Sequence, residues 1–140
     1  MTSPSAVPRL LAIDDDADSA ELVARVAARA GFEADWIADP RLAAETVSRV
    51  GPNVVTLDLC MPDLDALDVL GELREAGFDG AILIVSGQPD SIRNAAARLA
   101  EANGHEVAGN FRKPVDVAAM RKRLFDIAAA RAGDGAKSAG

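Results

Sequence analysis

The stretch Arg9-Leu-Leu-Ala-Ile-Asp-Asp-Asp16 passes directly from an apolar run into three consecutive aspartates. The apolar part is short and continuous, as expected of a strand buried on both faces of a parallel sheet. In open α/β sheets, binding sites lie outside the carboxyl ends of the strands. The stretch therefore predicts an α/β fold and also the edge of the sheet at which polar chemistry collects.

The same pattern recurs along the chain, because further aliphatic runs are each followed by a segment with helical spacing. These runs are Ala34–Ile37, Val54–Leu57, Ala81–Val85 and Val107–Phe111. Five such units with right-handed crossovers predict an open five-stranded parallel sheet with helices on both faces. Asp18 and Glu21 resemble a capping box at the start of the first helix. The fourth helix is expected to start near Asp90 or Ser91 and carries Ile92, Ala95, Ala96 and Leu99 at helical spacing.

Composition limits the functional classes. The chain has 140 residues, of which 49% are hydrophobic and 26% charged, and this suits one globular domain. We expect a tail at residues 1–8, the domain at 9–132 and a flexible tail or linker at 133–140. A net charge of −7 argues against direct nucleic-acid binding. One Cys and one His exclude an internal disulfide and a zinc site. The absence of a membrane-length apolar run predicts a cytoplasmic protein without membrane contact.

Chemically active side chains follow four of the predicted strands. Asp14 and Asp15 follow the first strand, Asp58 the third, Ser86 the fourth and Lys113 the fifth. If the first and third strands are neighbours, the three carboxylates converge and repel one another unless a cation joins them. Because only oxygen ligands are on offer, we expect Mg²⁺, with Mn²⁺ as an alternative.

A second set of groups at this edge would bind a phosphoryl group. Lys113 supplies a positive charge and Ser86 a hydroxyl donor, while Asp58 supplies an ionised nucleophile. These are the parts needed to form an acyl phosphate. The plain alternative is that such aspartates cap helices or end strands in water, but Asp18 is expected to provide the helix cap already.

Over residues 9–131 this constellation resembles the receiver domain of two-component response regulators. The resemblance depends on Asp14-Asp15, on Ser86, on Lys113-Pro114 and on the segment Leu57-Asp-Leu-Cys-Met-Pro-Asp-Leu-Asp65. It implies a flavodoxin-like sheet of order 2-1-3-4-5. It also implies that Asp58 takes a phosphoryl group from a phosphohistidine on a sensor histidine kinase or a histidine phosphotransfer protein.

The resemblance further implies roles for individual residues. Asp15, Asp58 and the backbone carbonyl of Cys60 would hold Mg²⁺, and Asp14 would act through water. Lys113 and Ser86 would contact the phosphoryl oxygens, and the Lys113-Pro114 bond would be cis. Phosphorylation would switch protein contacts through the face of the fourth helix, fifth strand and fifth helix. The partner would be a downstream effector protein, an output domain outside this chain or a second copy of the chain.

Three features depart from the family pattern. Asn110 stands where an aromatic switch residue is common, so whether this position switches is an open question. Phe111 is expected on the opposite face of the strand, in the core. Ala66 replaces a common glycine. The segment 86–113 is longer than usual and is similar to receivers joined to cyclic-di-GMP phosphodiesterase domains of the EAL type.

Two alternatives to the signalling function remain open. One is a Mg²⁺-dependent aspartyl-phosphate phosphohydrolase, although such enzymes usually carry an acid two residues beyond the nucleophile, where this chain has Cys60. The other is a receiver-like interaction module that is not phosphorylated. We expect a signalling protein that at most catalyses its own phosphorylation and dephosphorylation, rather than an enzyme.

Overall fold

The computed structural model of the chain describes residues 7–60 and 65–139, with side chains up to residue 131. All strands run parallel in the order β2-β1-β3-β4-β5. The strands are β1 (Arg9–Ile13), β2 (Glu33–Ile37), β3 (Val54–Leu57), β4 (Ala81–Ser86) and β5 (Glu106–Arg112). The helices are α1 (Ala17–Arg29), α2 (Ala43–Val50), α3 (Ala66–Glu75), α4 (Asp90–Ala102) and α5 (Val117–Ala139). The predicted flavodoxin-like sheet order is confirmed.

Each face of the sheet packs against its own group of helices. Side chains of β1 alternate between the two faces, so that Leu10 belongs to a core with α1 and α5 while Leu11 belongs to a core with α2 and α3. Alternation along a strand sends successive side chains to opposite faces. Burial on both faces explains why β1 is apolar without an alternating polar pattern.

The cap of α1 differs from the prediction. The cap residue is Asp16, not Asp18, and its carboxylate accepts hydrogen bonds from the backbone N–H groups of Asp18 and Ser19 at 3.0 and 3.4 Å. The third aspartate of the triplet therefore begins the helix, and Asp18 lies in its first turn, where a negative charge favours the helix dipole. Asp14 and Asp15 remain outside the helix, as expected.

The apolar spacing along α4 does not mark its buried face. Ile92 and Leu99 are 48% and 51% exposed, whereas Arg93 and Ala100 are buried. The helix presents Arg93 to β5, where Asn110 offers a polar partner. Helical spacing defines which residues share a face, but the partner element decides which face is buried.

The described part of the C-terminal segment is helical. Helix α5 continues through residues 133–139, the segment for which the composition predicts a tail or linker. Its role as a linker remains a prediction, and residues 1–6 and 140 of the predicted tails lie outside the described residues. Among the described residues, no helix combines the length and apolar character needed to cross a membrane.

Candidate functional site

The strand register brings the predicted carboxylates together. Ile13 of β1 pairs with Leu57 of β3, so the next residues, Asp14 and Asp58, end neighbouring strands at the same level. The Asp58 N–H donates to the Ile13 carbonyl at 3.2 Å, which extends the strand pairing by one step. Both residues are only 4% exposed. The adjacency of β1 and β3 on which the predicted convergence depends is thus present.

Lys113 joins the two buried carboxylates. Its ammonium nitrogen Nζ lies 2.6 Å from Asp14 Oδ2 and 3.0 Å from Asp58 Oδ2. The backbone N–H of Lys113 also donates to the Ser86 carbonyl at 2.9 Å. The Lys113-Pro114 peptide bond is cis, as the resemblance implies. Lys113 therefore bridges a chain separation of 55 residues to Asp58 and 99 residues to Asp14.

The electrostatics of the pocket follow from burial and charge pairing. Burial raises the pKa of Asp14 to about 6, although hydrogen bonds from Lys113 and from the Asp16 N–H act in the opposite direction. For Lys113, burial alone would lower the pKa, but hydrogen bonds to Asp14 and Asp58 raise it above its ordinary value. The lysine is therefore held in its charged form, ready to neutralise a further anion.

The carboxylates of Asp14 and Asp58, which bind Lys113, also lie close to the carboxylate of Asp15. One oxygen from each of Asp14, Asp15 and Asp58 can be chosen so that the three atoms lie within 4.8 Å of one another. Asp15 is the exposed member of the group and the other two are buried. An oxygen-only donor set with one side open to water fits Mg²⁺, which keeps several water ligands when it binds to proteins. The residues present therefore fit the cation implied by the resemblance.

Ser86 lies at the end of β4 and is fully buried. Its Oγ accepts a hydrogen bond from the Gln88 N–H at 3.2 Å. The Gln88 side chain in turn donates from Nε2 to Cys60 Sγ at 2.9 Å. The Cys60 N–H donates to Asp58 Oδ1 at 3.0 Å. Gln88 thus connects the loop after β4 with the loop after β3, and Cys60 connects the second of these loops with Asp58.

The geometry can be compared with known proteins. The family model of the response regulator receiver domain matches residues 10–125. The chain belongs to the receiver domain family. This match covers β2 to β5 and all of β1 except Arg9, and it includes each residue of the site described above.

Relatives of this receiver domain are longer proteins. Response regulator MprA of Mycobacterium leprae is 36% identical over 91 residues, which cover 65% of this chain and 40% of the relative. DNA-binding response regulator MtrA of the same organism is 30% identical over 116 residues, covering 83% of this chain and 51% of the relative. A protein-glutamate methylesterase/protein-glutamine glutaminase of Myxococcus xanthus is 33% identical over 121 residues, covering 85% and 33%. The receiver domain therefore spans about half or less of the length of these relatives.

Solved structures share the fold. A response regulator from Colwellia psychrerythraea superposes with a TM-score of 0.75 at 24% identity, covering 87% of this chain and 97% of that one. The response regulator domain of Thermotoga maritima CheB gives a TM-score of 0.70 at 19% identity, covering 91% and 97%. At these identities the similarity supports the fold alone.

Sequence reasoning missed one group of residues next to the site. Arg93 is buried and hydrogen-bonded to Asn110, the residue at the unusual switch position. Phe111 lies on the opposite face and packs against the core with α1 and α5, as predicted. No local signal in the sequence identifies Arg93, because its burial depends on an acceptor that lies 17 residues later on β5.

Proposed function

We propose that this receiver domain accepts a phosphoryl group on Asp58 and passes the change to partner proteins. The observation that carries the proposal is the Lys113 ammonium held between the buried carboxylates of Asp14 and Asp58. A half-buried cation beside a buried nucleophile provides fixed positive charge where a phosphoryl group would arrive. Phosphoryl transfer depends mainly on positioning and on neutralisation of the phosphoryl oxygens.

The chemical step needs no general base. One carboxylate oxygen of Asp58 attacks phosphorus, the bond from phosphorus to the donor imidazole nitrogen breaks, and the bonding pair stays with the imidazole, which leaves as a neutral ring carrying a proton taken from water on its other nitrogen. The product is an acyl phosphate on Asp58 and a histidine on the donor. Lys113 moves its hydrogen bonds from the carboxylates to a phosphoryl oxygen, and Ser86 donates its hydroxyl proton to another.

Asp15, Asp58 and the backbone carbonyl of Cys60 would hold Mg²⁺, with Asp14 acting through water. When bound, the cation neutralises charge on the phosphoryl oxygens. Mn²⁺ has the same preference for oxygen ligands. The β1–β3 register, which brings Asp14 and Asp58 to the ends of neighbouring strands, supports this assignment.

The proposed partners act at different stages. The phosphoryl donor is a sensor histidine kinase or a histidine phosphotransfer protein. The receiver of the signal is a downstream effector, an output domain or a second copy of the domain, contacted through α4, β5 and α5. The helices of this face carry exposed apolar side chains: Ile92 and Leu99 on the side of α4 toward α3, and Phe125 on the side of α5 toward α1. Such side chains are available for contacts that change with phosphorylation.

The two alternatives make different predictions. A phosphohydrolase would turn over small phosphate esters, whereas the proposed receiver would not. An interaction module without phosphorylation would bind its partner equally well with and without a phosphoryl donor. The paired Lys113 supports the phosphorylated receiver over such a module, because a constitutive module has no need for a charged pocket of this composition.

Intact-mass measurement after incubation with Mg²⁺ and acetyl phosphate, or with a phosphohistidine donor, tests the proposal. We expect wild type to gain one phosphoryl group and Asp58→Asn to gain none. Asp35→Asn is a matched control because Asp35 is an exposed aspartate on the edge strand β2. The proposal is refuted if wild type gains no mass or if Asp58→Asn gains as much as Asp35→Asn.

A further inference from the structure

Helix α4 buries a charged side chain while leaving apolar ones in water. Arg93 is only 6% exposed, although its neighbour Ile92 and the later residue Leu99 are about half exposed. Burial of a guanidinium is costly unless its N–H groups find acceptors. The partners of Arg93 therefore determine how α4 lies on the sheet.

Three different elements supply those partners. Arg93 Nε donates to the Gln88 carbonyl at 3.1 Å, Nη1 donates to Asn110 Oδ1 and Nη2 donates to Asp90 Oδ1. Asn110 is fixed on its other side, since its Nδ2 donates to Asn94 Oδ1 at 2.9 Å. One guanidinium thus connects the loop after β4, the first turn of α4 and the middle of β5. We call Arg93 and Asn110, with the Gln88 carbonyl, the polar clamp.

Both ends of the polar clamp lead to the phosphoacceptor site. Gln88, whose carbonyl Arg93 binds, donates its N–H to Ser86 Oγ at 3.2 Å. Asn110 lies on the same strand that leads to Lys113, whose backbone N–H binds the Ser86 carbonyl at 2.9 Å. A displacement of Ser86 can therefore be passed to Arg93 through Gln88. It can be passed to Asn110 through the pairing of β4 with β5.

We propose that Arg93 and Asn110 are positioning residues that couple the phosphoryl state of Asp58 to the placement of α4 against β5. The proposal rests on the function proposed above for Asp58. It assigns the coupling to a polar contact between a helix and a strand, at the strand position where this chain carries Asn110 in place of an aromatic side chain.

The physical reason for the coupling is the cost of leaving a buried cation without acceptors. When the Ser86 side chain rotates to bring its hydroxyl to a phosphoryl group, Oγ moves away from the Gln88 N–H that donates to it, and the Gln88 peptide becomes free to shift. The Gln88 carbonyl moves with the peptide, and Arg93 must follow it or lose an acceptor. Because Arg93 is part of α4, the exposed apolar face of that helix moves relative to β5.

Hydrogen–deuterium exchange of the whole chain, with and without acetyl phosphate and Mg²⁺, tests the coupling. Intact mass is recorded on the same samples, so that the extent of phosphorylation is known in each. In wild type we expect phosphorylation to change exchange in the peptides that cover α4 and β5. In Arg93→Met we expect phosphorylation at Asp58 to proceed while this change is lost. Without phosphorylation, α4 amides of Arg93→Met should exchange about tenfold faster, as expected for the loss of a hydrogen bond to a charged group.

Arg98→Met is the matched control, because it removes a guanidinium from an exposed position of the same helix. Within residues 7–60 and 65–131, Arg98 makes no hydrogen bond or ion pair. We expect Arg98→Met to respond to phosphorylation as wild type does. Asn110→Leu leaves Arg93 in place but removes its acceptor, and we expect it to lose the response as well. It tests the coupling in case Arg93→Met does not fold. Asn110→Asp keeps an acceptor oxygen and should retain the response.

The outcomes separate this proposal from the one on which it rests. If wild type gains no phosphoryl mass, the function proposed for Asp58 fails and the coupling fails with it. If wild type is phosphorylated but Arg93→Met and Asn110→Leu still respond as Arg98→Met does, the polar clamp is only structural and this inference alone is overturned. Loss of the response in Asn110→Asp would also overturn it, since the acceptor would then not be the relevant feature.

Discussion

At the scale of single residues, burial decides the chemistry of the site. Asp14 and Asp15 are neighbouring residues of the same type, but Asp14 is buried and Asp15 is exposed. Burial disfavours the charged form of a carboxylate. Asp14 accordingly has a pKa of about 6, raised from 3.8 chiefly by burial. The difference between the two aspartates could not be predicted from their order in the chain.

The raised pKa of Asp14 has a consequence for stability in the absence of divalent cations. Since the folded protein binds this proton more tightly than the unfolded chain, stability falls as pH rises from about 4 to about 6 and stays lower above that range. At pH 7 in EDTA, Asn at this position avoids a cost of at most about 3 kcal/mol. We therefore expect Asp14→Asn to be more stable than wild type at pH 7 by about 1–3 kcal/mol.

Thermal or urea unfolding between pH 4 and pH 7 measures this difference. The gap between Asp14→Asn and wild type should widen as pH rises. Asp35→Asn, which changes an exposed carboxylate, should track wild type throughout. A variant at Asp14 that is less stable than wild type at pH 7 would show that the ion pair with Lys113 outweighs the cost of burying the charge.

At the scale of elements, caps and partner strands decide where a helix begins and which face it buries. The triplet Asp14-Asp15-Asp16 contains candidates for a cap, and tertiary packing selects Asp16 because the first two belong to the pocket. The backbone N–H of Asp16 donates to Asp14 Oδ1 at 3.0 Å, which connects the cap to the site. A helix start and a binding site therefore share one short turn.

Removal of the cap should weaken α1 without abolishing the fold. We expect Asp16→Ala to lower the free energy of unfolding by about 1 kcal/mol, since two backbone N–H groups lose their acceptor. Asp18→Ala, the change at the residue that the sequence pattern favours as the cap, should cost less. Urea denaturation of the two variants measures both effects. Equal losses would contradict the assignment of Asp16 as the cap.

At the scale of the whole molecule, two apolar cores on opposite faces of one sheet support a single site at its edge. Leu83 of β4 is fully buried in the core with α1 and α5, whereas Leu22 of α1 is 43% exposed. We expect Leu83→Ala to cost about 2–5 kcal/mol, because it removes transfer energy and leaves a cavity. We expect Leu22→Ala to lower the free energy of unfolding by much less than Leu83→Ala does. Chemical denaturation of the two variants measures both losses. A small loss in Leu83→Ala would mean that the sheet closes over the cavity.

Much of the fold and the site could be predicted from the sequence, because the relevant signals are local. The alternation of apolar runs and helical segments indicates five βα units, and the residues after each run can be read directly. Asp58, Ser86 and Lys113 are found in this way, and the structure places them on neighbouring strands. The burial of Arg93 could not be predicted in this way, since it depends on an acceptor 17 residues away on β5.

By itself, the sequence determined the class of fold, the sheet edge that carries the chemistry and the residues that end each strand there. These depend on hydrophobic periodicity and on strand ends, which are properties of short segments. Only the tertiary structure decided which aspartate caps α1, which carboxylates lose water and which face of α4 turns toward β5. Each of these choices depends on the competition of distant groups for the same buried space, where an unpaired charge is costly and a paired one is tolerated.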